Sequence, residues 1–487
     1  MIHYKIVLKV VGVLLALLSL MMLIPLCYGI INGDSGVRDL GLGAVSSLAT
    51  GAILWMTYKN IEPKLSKREG YLIVALGWII ICLFSAIPYL SYQGIGSVAD
   101  AFFESVSGLT TTGATILTDI EALPESLLLW RSISQWIGGM GIIVLTVAIF
   151  PLLGIGGVEL FVAESPGPTS DKIHPRIKET AKRLWLIYVS LTLVLAVILA
   201  IAGMNLFDAF NHSLTTMATA GFSTKNASIA AFNSPTIEYI IAFFMLLGGC
   251  NYTLIYFGLK GKMKKVWRSD EFKAYLLLVF VLTTFLTVTI TCIANLSVEQ
   301  SFRHALFHVL SLITTTGYVT GDYTAWAPGV TMIFFSMFFM GACAGSTSGG
   351  IKIIRHLVFF KNSIYELKRI LHPKALIRTK IDGHVVRPRI LTHILVFLLF
   401  YMFIFLVGTI CMSFILYDDV TPIVSAIGVV AASLGNVGPG IGSVGPVDNF
   451  AHIPDIGKWL SMILMLFGRL ELFTVLILLS PYFWRNH

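Results

Sequence analysis

The sequence predicts an all-α polytopic membrane protein with a fourfold internal repeat. Three observations predict it. Hydrophobic residues make up 56% of the 487 positions and charged residues only 12%, about half the charge of a soluble domain. Apolar runs at 10–30, 71–90, 184–202, 274–293 and 390–415 reach the ~20 residues that cross a bilayer as a helix. A short polar signature closing on glycine recurs at a fixed place relative to such runs.

In chain order, the run 10–30 is flanked by Lys5 and Lys9 in the manner of a signal peptide. It is long, and no small-residue cleavage site of the A-x-A kind follows, so it reads as a retained helix. A second span follows at about 40–57. Four blocks then align on a glycine: "DAFFESVSGLTTTG" (100–113), "DAFNHSLTTMATAG" (208–221), "HALFHVLSLITTTG" (304–317) and, more weakly, "SAIGVVAASLGNVG" (425–438). Alanine stands twelve residues before the glycine in each, at Ala101, Ala209, Ala305 and Ala426. Such a block is too short to cross and fits a re-entrant helix. Non-helical backbone at membrane depth is tolerated only where it is buried or lines a water-filled path. Each block lies between two apolar runs, and the second runs share small-residue centres: "WIGGMG" (136–141), "LLGGCN" (246–251), "FMGACAG" (339–345) and "LFGRLE" (466–471).

The unit is therefore span, half-span, TxG loop, span. It divides the chain into two N-terminal transmembrane helices (1–69) and four membrane–pore–membrane repeats at 70–160, 161–265, 266–360 and 361–487. The last includes a cytoplasmic linker. Four re-entrant pore helices can meet around one pseudo-fourfold axis. Glycine permits backbone angles that turn carbonyls toward that axis, and a ring of carbonyl dipoles replaces the water shell of a cation. Threonine adds hydroxyl oxygens. One TxG alone reads better as a helix C-cap turn, where glycine is the usual residue; four copies at one place in a repeated unit reverse that preference and favour the ring.

Lys and Arg cluster at 59–68, 172–183, 260–273 and 352–389. With a cytoplasmic N-terminus, 28 of the 34 basic residues fall inside and five outside (Arg38, Arg131, Lys225, Arg303, Lys458), with Arg469 inside a span. This positive-inside bias puts both termini in the cytoplasm. The net charge of +8 is then topology signal, facing the lipid bilayer and any acidic partner, with no nucleic-acid role. The six cysteines lie in or beside apolar runs without a CxxC pair and read as small packing residues.

On these residues the chain resembles the TrkH/KtrB/HKT superfamily of potassium transporters over essentially its whole length. The two extra N-terminal spans match the TrkH branch; KtrB starts at the first repeat. The resemblance implies potassium uptake across a bacterial inner membrane, K+ being the transported and filter-bound ion, with no organic cofactor and no enzymatic activity. Its selectivity filter falls on Thr111, Thr112 and Gly113; Thr219, Ala220 and Gly221; Thr315, Thr316 and Gly317; and Asn436, Val437 and Gly438. Gly113 argues for potassium, because some HKT members with Ser there favour sodium. The fourth loop departs most, with Asn436 and Pro439. The resemblance also implies a homodimer and a cytosolic nucleotide-binding regulatory ring, TrkA, which basic stretches such as 361–389 could dock. The rivals are a sodium-permeable or H+- or Na+-coupled transporter of the same fold, and a membrane enzyme using His212, His304 and His308.

The segment "MGACAGSTSGGIK" (340–352) would make a poor helix interior. It reads either as a small-residue packing face or as an unwound loop, and the Gly349–Gly350 pair favours the loop. By resemblance it is the gate, comprising Gly345, Ser346, Thr347, Ser348, Gly349 and Gly350 with Arg469. A mid-span charge such as Arg469 is costly and usually faces a polar cavity; a structural ion pair with another helix is the alternative. Glu471, about 200° around the helix, does not pair with it directly. His304 and His308 have metal-ligand spacing, but HExxH is absent. Their repeat positions hold Asp100 and Glu104, or Asp208 and His212, so they are expected to solvate the re-entrant helix or an outer vestibule. "GIGSVG" (440–445) lacks the strand and helix of a nucleotide site and is expected to be a flexible connection. Acidic residues on the outer side, including Asp100, Glu104, Glu121 and Asp208, read as solvated loop residues, as a cation-attracting vestibule, or as both at once.

Overall fold

The structure is a computed structural model that describes residues 3–61, 66–149, 177–294 and 296–485. Lys64, Lys172 and Arg176, which enter the sidedness count, lie outside the described residues.

Two long helices, Tyr4–Asn32 and Val37–Tyr58, form an antiparallel pair joined by a turn in which Gly33 adopts φ 66°. Gly12 and Gly51 let the two backbones touch. A Cβ on Gly12 would stand 2.9 Å from the Gly51 carbonyl oxygen, and one on Gly51 2.7 Å from that of Gly12. Such small-residue crossings are how helices associate in lipid, where no hydrophobic force drives them together.

The first spans of the four repeats are Arg68–Ser91, Lys182–Ile201, Asp270–Ala294 and Pro388–Ile415. Each leads into a pore helix: Val98–Leu109, Leu206–Met217, Val298–Ile313 and Pro422–Gly435. With 12 to 16 residues these reach about 18–24 Å, short of the ~30 Å hydrocarbon core. Three start on side-chain caps, from Ser97, Asn205 and Ser297, and the fourth starts on Pro422, so their first N–H groups are satisfied or removed. Asp100 is thus part of a capping box at the head of its helix.

The second spans are not continuous, contrary to the plain span expected in three of the four. Helix Glu125–Ile149 departs from helical geometry at Gly141. Pro235–Gly248 and Tyr252–Leu259 meet at 105°, and Asp455–Arg469 and Phe473–Leu479 at 114°. In the third repeat Pro328–Met337 and Ile353–Leu371 are separated by the whole segment 338–352. Every break falls at the small-residue centre. There the span crosses the C-terminal end of its own pore helix: a Cβ on Gly138 would overlap the Leu109 carbonyl, and one on Gly468 the Leu434 carbonyl. Among the described residues six helices are long and apolar enough to cross a membrane, or up to eight if each bent pair counts as one.

A two-stranded antiparallel hairpin, Lys380–Ile381 with His384–Val385, follows the long helix of the third repeat. The segment 440–445 is not a loose connection. Gly440 N–H bonds the Val444 carbonyl at 2.7 Å, Tyr323 donates to the Gly440 carbonyl at 2.9 Å, and Val444 is fully buried. Cys82, Cys250 and Cys343 are buried, Cys27, Cys292 and Cys411 exposed, and all six are free thiols.

Candidate functional site

Each pore helix ends in the same way. Thr111, Thr219, Thr315 and Asn436 adopt left-handed backbone, with φ of 56°, 50°, 57° and 52°. The following N–H reaches back into the helix: Thr112 to Ser107 O at 2.9 Å, Ala220 to Thr215 O at 3.1 Å, Thr316 to Ser311 O at 2.8 Å and Val437 to Ala432 O at 3.0 Å. This is a Schellman cap. The cap-turn reading of TxG therefore describes the local backbone, but the cap residue is the threonine or asparagine, not the glycine. Gly113, Gly221, Gly317 and Gly438 add a second positive φ, of 80°, 78°, 80° and 94°. A β-branched residue in the left-handed region costs of order 1–3 kcal/mol, so three of the four loops hold strain that the surrounding packing must offset.

The loops close on one another in chain order. A Cβ on Gly113 would collide with the Ala220 carbonyl oxygen, on Gly221 with that of Thr316, and on Gly317 with that of Val437. On Gly438 it would stand 2.6 Å from the Thr112 oxygen, which returns the series to its start. Four glycines facing four carbonyls in a closed cycle define the pseudo-fourfold axis. Most threonine hydroxyls here serve the protein itself. Thr110 and Thr112 pair at 2.8 Å, Thr314 and Thr316 at 2.7 Å, and Asn436 Nδ2 donates to Thr112 Oγ1 at 3.0 Å and to the Met465 carbonyl at 2.9 Å. Thr111 Oγ1 is buried without a partner among the described protein atoms.

A further set of residues ties three of the four pore helices to the chain rising beyond their TxG loops. They stand nine positions before the glycine: Glu104, His212 and His308, with Val429 in the fourth repeat. Glu104 is fully buried, not part of a solvated vestibule. It accepts from Arg131 Nε at 2.7 Å, Thr115 Oγ1 at 3.0 Å and Ile116 N at 3.2 Å. Arg131 also donates to the Ser223 carbonyl at 3.2 Å, linking the first repeat to the second. His212 Nε2 bonds Ser223 Oγ at 2.9 Å, and His308 Nε2 donates to the Gly321 carbonyl at 3.1 Å, with His304 Nδ1 on Thr320 Oγ1 at 3.0 Å. His212 and His308 are thus buried struts and His304 a half-buried one, serving the re-entrant helices, the first of the two roles expected, and not an outer vestibule. Among the described residues, no group of three or more His, Cys, Asp or Glu is placed to hold a metal. The alignment register was the signal that could have found this set.

Most of the basic residues expected on the outer side are neutralised. Besides Arg131, Lys458 pairs with Asp100 at 2.6 Å, Lys225 with Glu121 at 3.2 Å and Arg303 with Glu238 at 2.9 Å. Asp208 is buried and accepts from Thr224. Several acidic side chains assigned to a vestibule are therefore occupied by partners inside the fold.

Beneath the ring lies the segment 338–352. It is pinned to the break of the second repeat, where Cys343 N–H bonds Gly249 O at 3.0 Å and Tyr252 N–H bonds Gly345 O at 3.1 Å. Glu271 accepts from Ala344 N at 2.6 Å. Thr347 Oγ1 donates to the Met217 carbonyl at 3.0 Å and meets Thr219 Oγ1 at 3.1 Å. Gly349 N–H donates to Thr315 Oγ1 at 2.7 Å, and a Cβ on Gly349 would stand 2.8 Å from Asn436 Cβ. Lys352 Nζ donates to Ser348 Oγ at 3.0 Å, and Ser346 and Ser348 share a bond of 2.8 Å. Gly345 and Gly350 have φ of 73° and 64°, which is why glycine stands there. The segment thus touches the TxG loops of the second, third and fourth repeats.

Arg469 comes to the same place from the break of the fourth repeat. Its guanidinium donates to Thr347 O at 2.9 Å, to Gly139 O at 3.1 Å and to Gly138 O. Unwound backbone supplies carbonyls without helical partners, and a guanidinium supplies donors only; each satisfies the other. Glu471 pairs instead with Arg355, whose guanidinium lies 3.9 Å from the Phe397 ring centroid.

Residues 40–485 match the family model TrkH, described as a cation transport protein. The chain is 42% identical over 489 residues to the Trk system potassium uptake protein TrkH of Escherichia coli (strain K12), covering 99% of this chain and 100% of that protein. It is 36% identical over 488 residues to the Trk system potassium uptake protein TrkG of the same organism, covering 99% of each. The crystal structure of the potassium transporter TrkH from Vibrio parahaemolyticus matches with a TM-score of 0.87 at 38% identity, over 99% of this chain and 100% of that one. The ring of four loops, the repeats that carry it and these matches agree: the chain is a multi-pass membrane transporter, not an enzyme, and belongs to the TrkH family of cation transport proteins.

Proposed function

We propose that the protein is the ion-conducting subunit of a Trk-type system and takes up potassium across a bacterial inner membrane. Its selectivity filter is the ring of Thr111–Gly113, Thr219–Gly221, Thr315–Gly317 and Asn436–Gly438. The observation that carries this reading is the closed cycle of glycine-to-carbonyl approaches, together with eight matching left-handed backbone angles. Hard monovalent cations are selected by such rings of backbone dipoles. Residues 345–350 and Arg469 form the gate. They lie against the underside of three filter loops and bring a fixed positive charge there.

The working protein is a homodimer controlled by a cytosolic nucleotide-binding subunit of the TrkA kind. The names of the relatives, each given as a protein of a Trk system, support a multi-component system; the homodimer and the nucleotide-binding subunit follow from the family resemblance. Both termini face the cytoplasm, following the basic-residue bias. The repeats are the units 70–160, 161–265, 266–360 and 361–487. The deciding experiment is flux in proteoliposomes with K+, Rb+, Na+ and Li+. K+ and Rb+ should pass well ahead of Na+ and Li+. Equal Na+ flux would replace this reading with a sodium-permeable transporter, and strict dependence on an imposed H+ or Na+ gradient with a coupled one.

A further inference from the structure

The four loops share a backbone but not a bracing. The first and third are braced by their own hydroxyl pairs, Thr110 with Thr112 and Thr314 with Thr316. The fourth is braced by the Asn436 carboxamide. The second reads Ala218–Thr219–Ala220 and lacks both hydroxyls. A side chain from another repeat stands in their place. Gln135, fully buried in helix Glu125–Ile149, donates from Nε2 to the Ala220 carbonyl at 2.7 Å and accepts from Phe222 N at 3.0 Å. The two bonds flank Gly221, as one peptide unit of a ladder would. They also fix the carboxamide orientation, since a carbonyl needs the NH2 and an N–H needs the oxygen.

The repeat alignment shows that this is a local addition. The positions equivalent to Gln135, three residues before Gly248, Gly341 and Gly468, hold Met245, Phe338 and Met465. A buried carboxamide at an otherwise apolar position is costly unless its bonds are made, and here both bonds go to one loop. The Ala220 oxygen that Gln135 holds is the same one that a Cβ on Gly113 would strike. Gln135 therefore sets a carbonyl at the seam between the first and second loops.

We propose that Gln135 is a positioning residue for ion selectivity, holding the Ala220–Gly221–Phe222 backbone in its ring geometry from the neighbouring repeat. The proposal rests on the reading of the ring as the filter. Discrimination depends on the number and placement of the dipoles, so a released Ala220 peptide relaxes selectivity before it stops conduction.

The test is the K+/Na+ permeability ratio in proteoliposomes of the full chain for Gln135→Met, Gln135→Glu and Gly221→Ser. Methionine is what two other repeats carry at this place, so it suits the packing while deleting both bonds. Glutamate keeps the shape and the acceptor but turns an oxygen toward the Ala220 carbonyl. Both Gln135 variants should lower the ratio severalfold while Rb+ flux persists and the melting temperature stays near that of the parent. A purely packing role predicts no change in ratio for either. A parent-like ratio in both, with an altered ratio in Gly221→Ser, overturns the positioning role and leaves the filter standing. A parent-like ratio in all three overturns the filter assignment itself. Should Gln135→Met fail to incorporate, the shape-conserving glutamate decides.

Discussion

Replacing Gly113 by serine tests the ring at a single atom. The backbone there has φ 80°, where an L side chain costs about 1–2 kcal/mol. The added Cβ would stand closer than 3.0 Å to the Ala220 carbonyl oxygen and 3.3 Å from its carbon, whereas ordinary contact begins at 3.4 Å. The Ala220 oxygen is not at the tip of a flexible side chain; it belongs to a backbone held by Gln135. Either the first loop or the second must move, and the seam opens by an amount comparable to the overlap. Contacts from a polar group to a charge are worth about 1.5–3 kcal/mol each, and about 1.4 kcal/mol is tenfold in a binding ratio. Displacing one carbonyl of such a ring should thus change K+/Na+ discrimination by roughly tenfold, with sodium gaining. The assay is the reversal potential, or paired isotope flux, under opposed K+ and Na+ gradients. A well-folded Gly113→Ser protein with the parent permeability ratio would refute the reasoning, because no route leads from that Cβ to an undisturbed ring.

Three further outcomes follow from the same geometry. Arg469→Ala, and separately removal of residues 345–348, should raise K+ flux in liposomes without any cytosolic partner while leaving the K+/Na+ ratio in place; parent-like flux in both would move the gate elsewhere. Glu104→Ala leaves the Arg131 guanidinium buried and unpaired, which costs about 3–5 kcal/mol. It should lower the melting temperature in detergent more than the paired change Glu104→Ala with Arg131→Met does, and equal losses would show that the ion pair is not the cause. For sidedness, a Lys262→Cys protein should react with an impermeant maleimide only after permeabilisation, and Lys225→Cys in intact cells; the reverse pattern would invert the topology.

The spans and pore helices were legible because long apolar runs and a repeated glycine are one-dimensional signals. Whether a small-residue centre is a packing face or a break is not such a signal. Gly138 and Gly468 are needed because a pore-helix carbonyl crosses their position, and that carbonyl comes from residues about thirty positions away. The pairing of Glu104 with Arg131 was hidden for a related reason. Arg131 reads in the sequence as a residue of an outer connection, yet it lies nearly two turns inside a span, against a pore helix. Arg469 was visible as a charge among apolar neighbours, whereas Gln135 carries no charge and shows only when the repeats are aligned on their second spans.

The fourth loop is where sequence and backbone diverge, and the divergence has a physical reading. Its letters depart furthest, but its angles of 52° and 94° follow the other three. Asparagine adopts the left-handed region at lower cost than threonine, so Asn436 is the least strained of the four cap residues. Its carboxamide donates to Thr112 and the Met465 carbonyl, replacing a hydroxyl pair that Gly435 and Val437 cannot form. What varies between repeats is therefore the bracing, while the backbone they hold is common. That freedom matters below the ring. A segment supplied by one repeat can meet three loops and leave the fourth clear only if their undersides differ. The segment 338–352 meets a hydroxyl at Thr219, a hydroxyl at Thr315 and a close-packed carboxamide stem at Asn436. Thr111 keeps its hydroxyl clear of every described protein partner. A strictly fourfold sequence would present the same face to the segment four times and could not fix which way it lies.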